Sequence, residues 1–187
     1  DERHDLRFAD LRPLAQGRPM QDAGEVITGV AYGFAWAADS ATCWYTLQDD
    51  AFRPDRVLRH VVGTDPEGDV EVFHEPDERF WVAVGRTRSN AYIVIVAGSA
   101  VTSEVRVADA TDPRAEFETV LPRRDGVEYT IEHAVIDGRE VFLILHNDGA
   151  VNFTLVEAPV EDPTAQRTLI PPRDDVRLEG VDAFAHH

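Results

Sequence analysis

The chain has 187 residues, enough for one domain with a sizeable core, and 43% of them are apolar, as in folded soluble proteins. Its 18 Lys and Arg stand against 35 Asp and Glu, a formal charge of −17. That balance argues against non-specific binding to nucleic acid or to an anionic membrane, both of which need a basic surface.

Taken in order, the N-terminus DERHDLRFADL has neither a Met nor a basic-then-apolar leader, and it reads like the interior of a longer chain. Residues 5–11 and 25–30 are strand-like. Cys43 is the single cysteine, so no intrachain disulfide can form. It lies in the apolar run CWYTL, reads as a core residue, and fits a reducing, cytoplasmic compartment. Asp49, Asp50 and Asp55 surround Arg53 and Arg56 in a Pro-containing loop. Paired carboxylates can serve acid–base chemistry or hold a cation, but no Gly-containing calcium-loop pattern accompanies them, so a solvated charged loop is expected.

Residues 91–110 hold two strand-like runs. The first, 91–98, is apolar and rich in β-branched residues. The second alternates, with Val105 and Val107 on one face and Glu104 and Arg106 on the other, the mark of a strand with one face buried. No segment shows a convincing 3.6-residue period, turn signals recur throughout, and no apolar run approaches the ~18 residues of a membrane span.

The pattern repeats. First strands begin near Phe34, Phe80, Tyr129 and Leu178, separated by 46, 49 and 49 residues. Second strands at Cys43, Tyr92 and Val141 step by 49, and third strands at Val57, Val105 and Phe153 step by 48. Fourth strands close at Glu75, Pro122 and Pro172. Four antiparallel strands per roughly 48 residues is the signature of a β-propeller blade. The expected fold is therefore an all-β propeller fragment. It comprises a blade remnant at 1–30, complete blades at 31–75, 76–122 and 123–172, and the first strand of a next blade at 176–184. Closed propellers have about 4–8 blades, so the chain reads as part of a larger ring. Self-association would follow from its two open blade faces.

In such a fold the loops joining second to third strands share a face with the connections between blades. The first set is 48–55, 98–103 and 146–151; the second is 76–78, 122–126 and 171–174. These six loops are the candidate working face.

The runs VLRHVVGT (57–64), TSEVR (102–106), LPRRDGVEY (121–129), HNDGAVNFTL (146–155) and LIPPRDDVRLEGVDAF (169–184) occur collinearly. Together they resemble the propeller of the oligopeptidase B branch of the prolyl oligopeptidase family of serine peptidases. The resemblance implies a seven-bladed propeller covering an α/β-hydrolase domain with a Ser–Asp–His triad, and cleavage of short peptides after Arg or Lys. The chain would correspond to about the middle half of that propeller, and its partners would be the hydrolase domain of the parent and short basic peptides. No cofactor and no metal is implied. A nucleophile elbow needs G-x-S-x-G, and Ser40, Ser89, Ser99 and Ser103 all lie outside that motif. No catalytic residue is therefore assigned.

Beside that resemblance, Arg123, Arg124 and Arg173 occupy equivalent connections. Their guanidinium forks would face the peptidase domain or anchor a peptide carboxylate; alternatively they pair with nearby Asp and fix the loop. The resemblance further implies that Ser99, Thr102 and Ser103 sit in a loop that helps bound the substrate cavity. Glu128, Glu132 and His133 fall on an innermost strand and would line the central channel; alternatively they form a solvated polar face. The seven histidines show no metal-ligand spacing, and no function is read into His186 or His187. Trp36, Trp44 and Trp81 read as packing between blades, and the Asn152-Phe153-Thr154 sequon as chance. The leading expectation is a propeller segment that gates access and does no chemistry alone. The alternative is a small stand-alone propeller, serving as a protein- or ligand-binding module, in which 176–184 completes the blade begun by 5–11. A two-carboxylate glycosidase ranks last, on the abundance of Asp and Glu alone.

Overall fold

The structure is a computed structural model describing residues 3–184. His186, His187 and the first two residues of the N-terminal blade remnant lie outside the described residues. The chain forms three antiparallel sheets, each a meander whose neighbours follow chain order. The first holds β1 (His4–Asp10), β2 (Gln21–Trp36), β3 (Thr42–Gln48), β4 (Pro54–Val61) and β5 (Val70–His74). The second holds β6 (Trp81–Arg86), β7 (Tyr92–Gly98), β8 (Ser103–Asp109) and β9 (Glu118–Thr119). The third holds β10 (Tyr129–Ile136), β11 (Arg139–His146), β12 (Thr154–Pro159) and β13 (Arg167–Ile170). The all-β expectation holds.

Period-two side chains explain the stacking. On β7, Ile93, Ile95 and Ala97 point toward the first sheet and join Trp44, Val57, Phe80 and Val82 in one core. Tyr92, Val94 and Val96 point the other way, against Val105, Phe142, Ile144 and Val156. A strand buried on both faces is apolar at every position, which is why 91–98 carries no alternation. The β10–β11 hairpin turns on Asp137 and Gly138, at φ 51° and 75°, the paired left-handed geometry that Asp-Gly favours.

Three strand-level expectations change. Residues 25–30 and the strand beginning at Phe34 are one strand, β2, which pairs with β1 and β3 in a single sheet. It bends where Gly29 and Gly33 take φ of 74° and 123°, conformations open to glycine. The β1–β2 hairpin is thus continuous with the first sheet, and Phe8, Ile27 and Val30 pack on Cys43 and Tyr45 of that sheet's outer face. Residues 176–184 form no strand, since no described strand lies alongside to bond them. Leu178, Val181 and Ala183 instead lie against Val141, Leu143, Leu145 and Leu155 on the outer face of the third sheet. Among the described residues β1 pairs only with β2, so 176–184 does not close a blade with 5–11. Finally, β8 is buried on both sides: Glu104 is 9% exposed and bonds Arg106 at 2.9 Å, so charge neutralisation replaces solvation.

Candidate functional site on the loop face

The turns joining second to third strands are 49–53, 99–102 and 147–153, and each is bonded to the connection that leaves its sheet. In the first, Arg53 is the bond-maker. It pairs with Asp49 at 2.9 Å, and its Nη1 donates to the carbonyls of Glu75, Asp77 and Phe80 at 3.1, 3.2 and 2.9 Å. In the second, Gly126 N–H donates to Thr102 Oγ1 at 2.9 Å and Ser103 N–H to the Val127 carbonyl at 3.0 Å. In the third, Asn152 Nδ2 donates to the carbonyls of Arg173 and Asp174 at 2.9 and 3.0 Å. Leu178 N–H returns a bond to the Asn152 carbonyl at 3.0 Å. The two loop sets expected to share a face do so, one pair per sheet.

Arg53 and Asp55 correct the sequence reading. They were expected to be solvated, yet they are 7% and 5% exposed: the Arg53 guanidinium serves as hydrogen-bond hub for a connection whose carbonyls have no strand partner, and Asp55 is paired with Arg56 at 3.1 Å. The sequence signal is positional: Arg53, Thr102 and Asn152 recur at steps of 49 and 50 residues, but three different side chains do the same job.

The hydroxyls of the 98–103 loop are committed within the fold. Ser99 Oγ accepts from Thr102 N–H at 3.1 Å. Ser103 Oγ donates to the Tyr129 carbonyl at 2.8 Å and accepts its N–H at 2.7 Å. Tyr129 is buried; its hydroxyl accepts from Val105 N–H at 2.9 Å and donates to the Leu121 carbonyl at 2.8 Å. Burial pushes this phenol's pKa above its ordinary value.

The arginines are committed too. Arg123 pairs with buried Glu75, lies 3.9 Å over the Phe80 ring and approaches Glu104 at 3.6 Å; it locks the first sheet to the second. Arg124 pairs with Asp148 and Arg173 with Asp175 at 2.8 Å. Each of these forks is held by a nearby carboxylate.

Glu128 and the Glu132–His133 pair find different partners, and Glu132 Oε1 accepts the His133 N–H at 2.9 Å. Glu128 Oε1 accepts from Asn147 Nδ2 at 3.3 Å. Glu132 accepts the Arg88 N–H at 3.1 Å. His133 does not line an open channel: it is 2% exposed and wedged edge-on between Tyr92 and Phe142. Desolvation lowers its pKa. Its Nδ1 lies 2.9 Å from Ser89 Oγ, but its buried Nε2 meets no carboxylate, so the pair lacks the orienting group of a triad.

Ser99, Thr102, Ser103 and Glu128 border one cavity of about 590 Å³, which Phe153, Arg177 and Glu179 also line. Its size suits a small ligand. Since the three hydroxyls are spent, Glu128, Thr130, Arg177 and Glu179 are the polar groups it offers. The histidine that sequence reasoning missed is His60. It is fully buried, held between Glu25 and Asp69, with Tyr45 donating to Asp69 at 2.8 Å. These four residues come from separate segments, and no sequence spacing marks them. They pin β2 to β4. Among the described residues no group of three or more His, Cys, Asp or Glu is placed to hold a metal, and no helix is long and apolar enough to cross a membrane.

Residues 1–187 match the family model described as prolyl oligopeptidase, N-terminal β-propeller domain. The chain is 31% identical over 149 residues to Protease 2 of Moraxella lacunata, covering 80% of this chain and 21% of that one. It is 32% identical over 170 residues to dipeptidyl aminopeptidase BI of Pseudoxanthomonas mexicana, covering 87% and 23%. Among solved structures, oligopeptidase B from Trypanosoma brucei, in a closed form with covalently bound antipain, superposes with a TM-score of 0.79 at 30% identity. That match covers 86% of this chain and 23% of the other. The chain thus spans less than a quarter of each of these three relatives.

Proposed function

Because the chain belongs to the prolyl oligopeptidase family, in its N-terminal β-propeller domain, we propose that it is a non-catalytic propeller segment of an oligopeptidase B-like serine peptidase. It bounds the path by which short peptides reach a hydrolase domain that cleaves after Arg or Lys. The observation that supports this reading best is the loop face itself. Three turns and three connections are fastened pairwise by Arg53, Thr102 and Asn152, giving a stiff rim beside a cavity of about 590 Å³. No nucleophile elbow occurs in the sequence. A rigid, chemically inert rim is what a size filter requires: it excludes by shape and leaves bond cleavage to another domain.

The three arginines act here as internal fasteners, which favours the structural alternative weighed for them above. Specificity for Arg or Lys would then reside in the hydrolase domain. The names of the two curated relatives sharpen the test, since one is a dipeptidyl aminopeptidase. The parent polypeptide should be assayed with a fluorogenic blocked Arg-containing peptide and with an unblocked dipeptidyl substrate. Release from the blocked substrate by the parent, with none from the 187-residue chain, is the expected result. An open reading frame without a G-x-S-x-G sequence would sink the peptidase assignment. Hydrolysis by this chain, lost on replacing one of its own serines, would overturn its non-catalytic role.

A further inference from the structure

The tips of the three fastened turns carry a feature that the fastening does not explain. Phe52 is 45% exposed, Val101 59% and Val151 90%, at steps of 49 and 50 residues. Trp81, 57% exposed, opens β6 opposite Gly98, beside the second of these turns. Scattered exposed apolar residues need no explanation, but one at each successive tip on a single face forms a patterned surface. Phe52 also sits at φ +62°, a left-handed conformation costly for a bulky residue. The turns cannot fold these side chains inward, because each is bonded to its connection at its base. Apolar tips on a preorganised base are the makings of an interface, in which little flexibility is lost on docking.

The surrounding charge tells what kind of surface fits. The arginines of these loops are already paired with Asp49, Asp148 and Asp175. Asp50, Asp125 and Asp174 make no salt bridge among the described residues, so the fringe of the face is acidic apart from Arg3, which lies 5.1 Å over the Phe52 ring. A second copy of this chain would bring an identical acidic fringe and be repelled. The fitting partner has an apolar centre and a Lys/Arg fringe.

We propose that Phe52, Trp81, Val101 and Val151 form the apolar centre of the propeller's contact with the hydrolase domain of the same polypeptide. The loop arginines serve only to hold the turns in place. The inference rests on the peptidase reading above, and the length of the relatives supports it: more than three quarters of each lies beyond the stretch matched here.

The test is hydrogen exchange on the parent polypeptide and on the 187-residue chain, following amides 49–53, 99–102 and 147–153. Exchange is expected to be about tenfold slower in the parent, the equivalent of ~1.4 kcal/mol of added protection. A Phe52→Ser, Val101→Ser, Val151→Ser variant of the parent should lose that protection, while the same variant of the 187-residue chain keeps the wild-type circular dichroism. If the triple variant of the short chain unfolds, Val151→Ser alone, at the most exposed tip, replaces it. Equal exchange in parent and short chain, in a parent that cleaves peptide, overturns the docking proposal and leaves the peptidase reading standing. So does protection that survives the variant. A parent with no hydrolase domain overturns both.

Discussion

At the residue scale, two side chains carry more of the structure than their type suggests. Arg53 is nearly buried and satisfies three connection carbonyls as well as Asp49. Replacing it with Met keeps the stem but strands three carbonyls and removes the cation paired with Asp49, so Arg53→Met should cost about 3 kcal/mol in urea unfolding. A loss below ~0.5 kcal/mol, the range of ordinary surface changes, would return Arg53 to the solvated loop first expected for it. His133 sets a pH dependence. Burial holds its pKa below the ordinary 6.5, so over the interval below 6.5 the unfolded chain binds a proton that the folded chain refuses. Its contribution to stability is complete above 6.5 and is lost as pH falls. The wild-type chain should therefore lose more stability between pH 7 and pH 5 than His133→Phe does, read from urea midpoints at each pH. Equal losses would show that His133 is not held neutral. Neither residue's role was legible in the sequence. Arg53 stood among charges of both signs, and His133 is buried by side chains from β7 and β11, which no local pattern brings together.

At the scale of elements, legibility followed repetition. Each meander repeats one strand plan, so a faint signal in any strand was reinforced by its counterparts about 49 residues away, and the all-β reading held. It failed where an element has no counterpart. β2 runs through what looked like a strand break because the loop-like GVAYG run is a bend within one strand, with Gly29 and Gly33 at positive φ. Residues 176–184 have strand-like sequence but no ladder, since β propensity describes a pleated surface in search of partners. Gly33 marks the tightest of these places. A Cβ there would stand 3.1 Å from the backbone nitrogen of Val84 and 3.2 Å from Thr46 Cγ2, at φ +123°. Backbone cannot yield as a long side chain can, so Gly33→Ala should destabilise by about 2 kcal/mol through combined strain and crowding between β2 and β6. Gly85, which has open space around it, supplies the control, and Gly85→Ala should cost distinctly less. A Gly33→Ala chain as stable as wild type would mean that β2 does not bend there.

At the scale of the whole molecule, three stacked sheets have two outer faces, and open apolar faces drive self-association. That was the expectation from sequence, and the structure supplies a reason to revise it. The outer face of the first sheet is covered by the β1–β2 hairpin, fastened by the Glu25–His60–Asp69 cluster. The outer face of the third is covered by 178–183, fastened at one end to Asn152 and at the other by Arg88, which bonds Asp182 at 2.5 Å and lies 4.8 Å over the Phe184 ring. Each face is closed by chain adjoining it, with no ring closure. A charge of −17 adds mutual repulsion at low salt. The 187-residue chain should therefore sediment as a monomer, and monomeric behaviour does not by itself favour a closed stand-alone propeller. The two covers differ in strength. The hairpin is held by backbone ladder and the buried Glu25–His60–Asp69 cluster, whereas 178–183 has no ladder and packs chiefly through Leu178, Val181 and Ala183. Leu178→Asp should unseat the C-terminal cover and expose Val141, Leu143 and Leu145, giving concentration-dependent dimers that strengthen as salt screens the charge. If the variant instead stays monomeric at high salt, the third sheet's outer face does not need that cover. If wild type already dimerises, the covers are not what closes the stack.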